Sequence, residues 1–154
     1  MNEENEVLKR NVKREISKLK ELTSEMKEII ERFEEEPDMV EQRAMGSILH
    51  DFYCGVERIF KRISEHYKGG LPGGENWHIE LLDSMFNKKM KERRSVINKK
   101  TYEDLKELLA FRHIFRNIYG FELKWDRFRH LSLNLDKILE EVKENITDFI
   151  SRDV

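Results

Sequence analysis

Two arginines, a histidine, a carboxamide and a phenol fall within residues 111–120, Phe-Arg-His-Ile-Phe-Arg-Asn-Ile-Tyr-Gly. Arg112, Arg116 and Tyr119 are spaced by four and three, so on a helix they share one face. His113 and Asn117 form a second pair, spaced by four and turned about 100° from the first. Phe111, Phe115 and Ile118 make a third stripe, the one expected to be buried. Helix faces elsewhere in the chain are built from Lys and Glu. Guanidinium, imidazole and phenol together suit an anionic, planar group such as a phosphodiester, because a guanidinium fork matches two phosphate oxygens. An imidazole adds proton transfer near neutral pH, its unperturbed pKa being about 6.5.

The charge distribution points the same way. A net charge of −2 does not by itself favour a nucleic-acid partner. Residues 86–130, however, hold 13 Lys/Arg against 6 Asp/Glu, while residues 1–85 hold 13 against 19 and residues 131–154 hold 3 against 6. The positive block brackets the stretch above and suits an anionic ligand there. The plainer alternative is a patchwork of surface charge on a helical bundle.

Positioning such a site needs helices. The chain of 154 residues has seven glycines and two prolines, with 39% charged and 10% aromatic residues. That balance favours long helices with solvated faces over disorder. The length predicts one domain over residues 1–154, burying roughly 68–70% of its unfolded surface. Residues 3–35 read as one helix with a heptad seam of Val12, Ile16, Leu19, Thr23, Met26, Ile30 and Phe33, ended by Pro37. The seam suits either a bundle within the chain or a dimer. A second helix is expected from Asp38, as N-cap, to about residue 67. Its apolar line is Met45, Ile48, Leu49, Phe52, Val56, Ile59, Phe60 and Ile63. His50, Asp51, Tyr53 and Glu57 lie on its other side, either as polar support for a site or as a solvated face.

Four glycines and a proline within residues 68–74 make a helix–helix connection. No Gly-Lys-Ser/Thr follows, so this is not a phosphate-binding P-loop. Residues 77–90 predict a short third helix. His78 and Glu80 are two apart on it and face different ways, which argues against a metal pair. His78 reads as a polar core or interface histidine supporting the site. Residues 88–100 form a basic loop, seven positive residues and one negative, that is a candidate RNA contact. Thr101 predicts the N-cap of a fourth helix, with Asp104 as its capping-box partner. This helix runs to about residue 119, with Gly120 as its C-terminal stop. A fifth helix is expected over residues 126–150, along Phe128, Leu131, Leu135, Ile138, Val142, Ile146 and Phe149. The sum is an all-α, up-and-down bundle of about five helices.

The single cysteine, Cys54, excludes an internal disulfide framework and a cysteine-based zinc site, and is expected as a small buried hydrophobe. The charged first residues contain no apolar leader segment, and no run approaches a membrane span. Together these predict a cytoplasmic protein with no membrane partner.

The motif resembles the R-x4-H-x-Y signature of HepT-like toxins in the HEPN superfamily, with Arg112 as the R and Tyr119 as the Y. The H position is Asn117. The run His-Asp-Phe-Tyr-x-Gly-Val-Glu-Arg-Ile-Phe at residues 50–60 resembles the same family. The resemblance implies a HEPN-like helical fold and a metal-independent, cofactor-free ribonuclease of a toxin–antitoxin pair, acting at the cleft of a symmetric homodimer. It also implies a partner, a minimal nucleotidyltransferase antitoxin that neutralises the toxin by adenylylating Tyr119.

Metal-free RNA cleavage uses the 2′-hydroxyl as nucleophile and needs a base, an acid and positive donors around the phosphorus. Arg112 and Arg116 suit the last task. Asn117 cannot exchange a proton at neutral pH, and losing a general base costs about 10²–10⁴ in rate. Three explanations stay open. His113 supplies the base; or the chain is a silenced member that still binds what its relatives bind; or the motif is a packed helix end with arginines paired to Glu57 and similar acids. The leading expectation is a ribonuclease weakened or silenced at Asn117, with Tyr53, Glu57 and His78 in support. The runner-up is a non-catalytic subunit that presents substrate to a nucleotidyltransferase, and the third is a structural helical adaptor.

Overall fold

The computed structural model describes residues 3–67, 69–87 and 94–153. It comprises α1 (Glu3–Ile30), α2 (Met39–His66), α3 (Trp77–Phe86), α4 (Lys99–Asn117), a 3-10 turn (Gly120–Glu122), α5 (Trp125–Leu133) and α6 (Leu135–Asp153). No strand occurs among the described residues. The all-α expectation therefore holds, with six α-helices among the described residues in place of about five.

The long helices alternate in direction. α1 and α2 are antiparallel: Arg58 donates to Glu15 Oε1 at 3.3 Å, while Leu19 packs over Gly55. α4 runs against α2, with Phe115 over Gly46 and Arg112 beside Cys54. α6 runs against α4, since Asn145 bonds the Asn98 backbone and Glu141 lies 3.8 Å from Lys100. It also meets the C-terminal end of α1, where Lys27 and Asp136 are 2.9 Å apart. α3 packs across α2 and α4. The heptad seam of α1 is spent inside the chain: Val12, Leu19, Thr23 and Met26 are buried, and Ile16, Ile30 and Phe33 are partly so. The core continues through Phe52, Val56, Ile59, Phe60, Leu105, Leu108, Phe128, Val142 and Ile146.

Helix ends depart from expectation, each for a local reason. α1 stops at Ile30, well before Pro37, because Phe33 leaves the helix to pack edge-on against Trp125 at 5.6 Å. α3 ends at Phe86, where Asn87 turns extended. The N-cap of α4 is Asn98: its Oδ1 accepts the Thr101 N–H at 2.9 Å. Thr101 is instead buried in the first turn, and Asp104 pairs with Lys100 at 2.8 Å. Gly120 does not stop α4, which ends at Asn117 with Ile118 extended (φ −126, ψ 163). Gly120 instead lets the exposed Arg43 side chain lie close over the backbone, 2.6 Å from where a Cβ would stand. The expected fifth helix is two helices broken at Asn134, whose backbone N–H and side-chain Nδ2 both donate to His130 O, at 3.0 and 2.7 Å.

No helix among the described residues is long and apolar enough to cross a membrane. Lys88, Lys89, Lys91 and Arg93 of the expected basic loop lie outside the described residues. Arg94 is engaged by Asp148, donating to its carboxylate and its backbone oxygen at 3.1 Å each.

The start of α2 agrees with the sequence in detail. Asp38 accepts the Glu41 N–H and Glu41 accepts the Asp38 N–H, both at 2.8 Å, a complete capping box. Asp38→Ala is expected to lower unfolding stability by about 1 kcal/mol, read as a shift in the urea midpoint without a change in slope.

Candidate functional site

Arg112 lies on the face of α4 that packs against α2. That approach depends on Gly46, where an added Cβ would lie 2.8 Å from Phe115 Cε1. Brought this close, the Arg112 side chain is only 9% exposed. Its Nε–H points at the Cys54 thiol, 3.5 Å away, and sulfur is a weak acceptor. No carboxylate among the described residues stands within ion-pair distance of the guanidinium. A buried charge stripped of its partner costs on the order of 3–5 kcal/mol, so this group is poised for an anion.

Glu57, the expected acid partner, is engaged elsewhere. It is buried on α2, and its Oε2 lies 2.6 Å from His78 Nδ1 on α3. Tyr53 feels both Glu57 and Arg112; it is fully buried, with no hydrogen-bond partner for its hydroxyl among the described residues. Burial pushes the Tyr53 phenol far above its usual 10.0; the Glu57 carboxylate raises it further and Arg112 opposes. Tyr53 is thus held neutral. The expected support group of Tyr53, Glu57 and His78 is one contiguous internal cluster against Arg112. His50 lies on the other side of the Cys54 thiol, 3.9 Å from it through Nε2, tilted against Phe115 at 5.6 Å and paired with Asp51 at 3.3 Å. Cys54 is only half-buried.

Arg112 opens onto a groove of about 620 Å³ between α3 and α4, within the size range of small-ligand sites. His78, Lys106 and His113 line it together with Arg112, over an apolar floor that includes Leu82 and Leu109. Asp83, also on its wall, accepts the Tyr102 hydroxyl at 2.5 Å. The groove therefore sets Lys106 and two histidines beside the guanidinium, with Glu75 and Asp83 as acids on its rim.

The remaining motif residues do not join it. Arg116 is exposed, one turn further along α4. Asn117 donates from Nδ2 to His113 O at 2.6 Å, bonding the last turn of the helix. Tyr119 is 71% exposed and lies parallel to Phe121, ring centroids 5.3 Å apart. The expectation that Arg112, Arg116 and Tyr119 share one helical face is corrected: α4 ends before Tyr119, and the extended Ile118 cancels the three-residue spacing. The stripe of Phe111, Phe115 and Ile118 does face inward, Phe111 buried and the other two partly so. One groove residue went unseen in the sequence: Lys106, six residues before Arg112 on α4. Nothing in local spacing links it to the site.

A family model for HepT-like proteins matches residues 44–152, most of the chain and every element of this groove. The chain belongs to the HepT-like family. No curated protein and no solved structure matches it. In this HepT-like chain the matched region begins within α2, so α1 lies ahead of it and acts as the strut that buries the far side of α2.

The neutral Tyr53 has a consequence for stability. Its folded-state pKa is raised, so the unfolded chain releases this proton first, near pH 10.0. Its contribution is complete below that pH and is lost as pH climbs above it, by up to about 1.4 kcal/mol per pH unit. Urea midpoints followed from about pH 9 to about pH 11 should fall more steeply for the wild type than for Tyr53→Phe. Tyr102, also raised by its bond to Asp83, contributes to the slope that remains.

Proposed function

We propose that this HepT-like protein is the toxin component of a toxin–antitoxin module, a metal-independent endoribonuclease weakened or silenced at Asn117. The observation that carries the reading is the buried guanidinium of Arg112, with no carboxylate in ion-pair distance among the described residues, on the wall of a groove that also presents Lys106, His78 and His113. A phosphodiester supplies the missing charge and two acceptor oxygens in the plane a guanidinium prefers. Arg116, exposed at the helix end, takes a neighbouring phosphate, and the surplus of Lys and Arg over residues 86–130 steers the strand.

Asn117 gives its amide hydrogen to the His113 carbonyl and has no proton to exchange. This favours a second reading, a non-catalytic subunit that binds RNA and serves as partner of a nucleotidyltransferase. Both readings share the cytoplasm as setting and the homodimer as working form, with the exposed Ile79 and Ile114 beside the groove covered by the second copy. The Tyr119 phenol stands free in solvent, as substrate for adenylylation by the antitoxin. An attached nucleotide would add charge and bulk just beyond the C-terminal end of α4.

Purified protein and a short synthetic RNA test the proposal. Arg112→Met is expected to weaken RNA binding about ten- to a hundredfold, the equivalent of charged hydrogen bonds worth about 1.5–3 kcal/mol, and to abolish cleavage. The same variant should unfold at equal or higher urea concentration, because a lone buried charge is removed. RNA bound but left intact selects the second reading. No RNA binding by the wild type overturns both. With a nucleotidyltransferase partner and ATP, label should enter the wild type and not Tyr119→Phe.

A further inference from the structure

The ribonuclease reading leaves its proton acceptor unassigned, since residue 117 carries no imidazole. The groove that holds Arg112 is lined by two histidines, His78 and His113, and they are held differently. His113 is exposed, and its imidazole has no hydrogen-bond partner among the described residues. His78 is clamped. Its Nδ1 is 2.6 Å from Glu57 Oε2, a carboxylate whose side chain is 6% exposed. Its ring lies along the Trp77 indole, centroids 3.6 Å apart, and Lys61 Nζ covers that indole at 4.5 Å.

A carboxylate this close to one ring nitrogen fixes the tautomer. Nδ1 carries the hydrogen and donates it, which leaves the lone pair on Nε2. The same carboxylate stabilises the imidazolium that forms when Nε2 accepts a proton, the arrangement that lets a buried acid orient a catalytic histidine. Glu57 and His78 come from different helices, so no sequence spacing announces them. The Arg112 charge reaches the same cluster through Tyr53, which feels both it and Glu57.

We propose that Glu57 and His78 form the acid–base dyad of this groove, His78 Nε2 taking the 2′-hydroxyl proton of an RNA strand whose phosphate sits on Arg112. The assignment rests on the ribonuclease reading above. The 2′-oxygen forms a bond to phosphorus and the bond from phosphorus to the 5′-oxygen breaks. The 2′ proton passes to Nε2, the leaving 5′-oxygen takes a proton from solvent, and His78 returns its own proton to solvent. The products are a 2′,3′-cyclic phosphate and a 5′-hydroxyl, with no metal or oxidant consumed. His78 is the catalytic residue and Glu57 the positioning residue.

The test uses the full chain, one end-labelled RNA, and the same RNA with 2′-O-methyl groups as an uncleavable ligand. His78→Gln should lower the rate of cyclic-phosphate formation about 10²–10⁴-fold while the methylated RNA binds as to wild type. Added imidazole should return part of the rate to His78→Ala, which also shows that fold and groove survive. Glu57→Gln should fall between His78→Gln and wild type. His130→Gln, which alters the exposed histidine paired with Glu107 outside this groove, should cleave normally. If the wild type cleaves and His78→Gln cleaves at the same rate, or loses binding as much as cleavage, the dyad is overturned and the ribonuclease reading stands. A wild type that binds RNA and leaves it intact overturns the dyad and leaves a silenced or non-catalytic RNA binder.

Discussion

A guanidinium pressed against the middle of α2, facing a thiol and with no acid in ion-pair distance among the described residues, is the contact around which this bundle is arranged. Everything around Arg112 raises the cost of its charge. Phe111 and Phe115 shield it along its own helix, the buried Tyr53 leaves its hydroxyl unbonded among the described residues, and Glu57 is already bound to His78. A fold selected only for stability would place Met or Leu there. An anion entering the groove beside Arg112 would relieve that cost, which is the ground of the function proposed above.

The bundle exists to hold that contact. α1 spends its whole apolar seam on the rest of the chain, and the Glu15–Arg58 pair bridges its polar edge to α2. α2, backed by α1, becomes a rigid wall with Gly46 at the point where α4 leans on it. α3 closes the third side and delivers His78 to Glu57. The break at Asn134 lets α5 tuck Trp125 and Phe128 under the end of α4 before α6 returns along the bundle. The result is a guanidinium, two imidazoles and an ammonium around one groove, each supported from a different direction.

Much of this was legible in the sequence, and what was not has a physical reason. Period-3.6 stripes gave the long helices, and the Asp38–Glu41 pair gave the start of α2 to the residue, because capping is a local interaction between neighbours in the chain. Helix ends were misplaced where a distant contact outweighed the local signal, as with Phe33 meeting Trp125, or where two caps competed, as with Asn98 and Thr101. The Arg112, Arg116 and Tyr119 spacing assumed an unbroken helix, and one extended residue, Ile118, separated the phenol from the guanidiniums. Tyr53, Glu57 and His78 were recognised as polar residues in apolar surroundings, but their mutual contact was not. Glu57 and His78 sit on different helices, and no periodicity spans the glycine-rich connection between them.

The account turns on whether the buried guanidinium itself receives the phosphate. Nitrogen–proton spectra of the arginine side chains, recorded while a short 2′-O-methyl RNA is titrated in, address this directly, with the Arg112 Nε–H signal identified by its loss in Arg112→Met. The account predicts that this signal moves downfield and saturates with the same midpoint as binding. If it stays fixed while the exposed Arg43 and Arg116 signals shift, the groove is not where the phosphate binds, and the central claim fails.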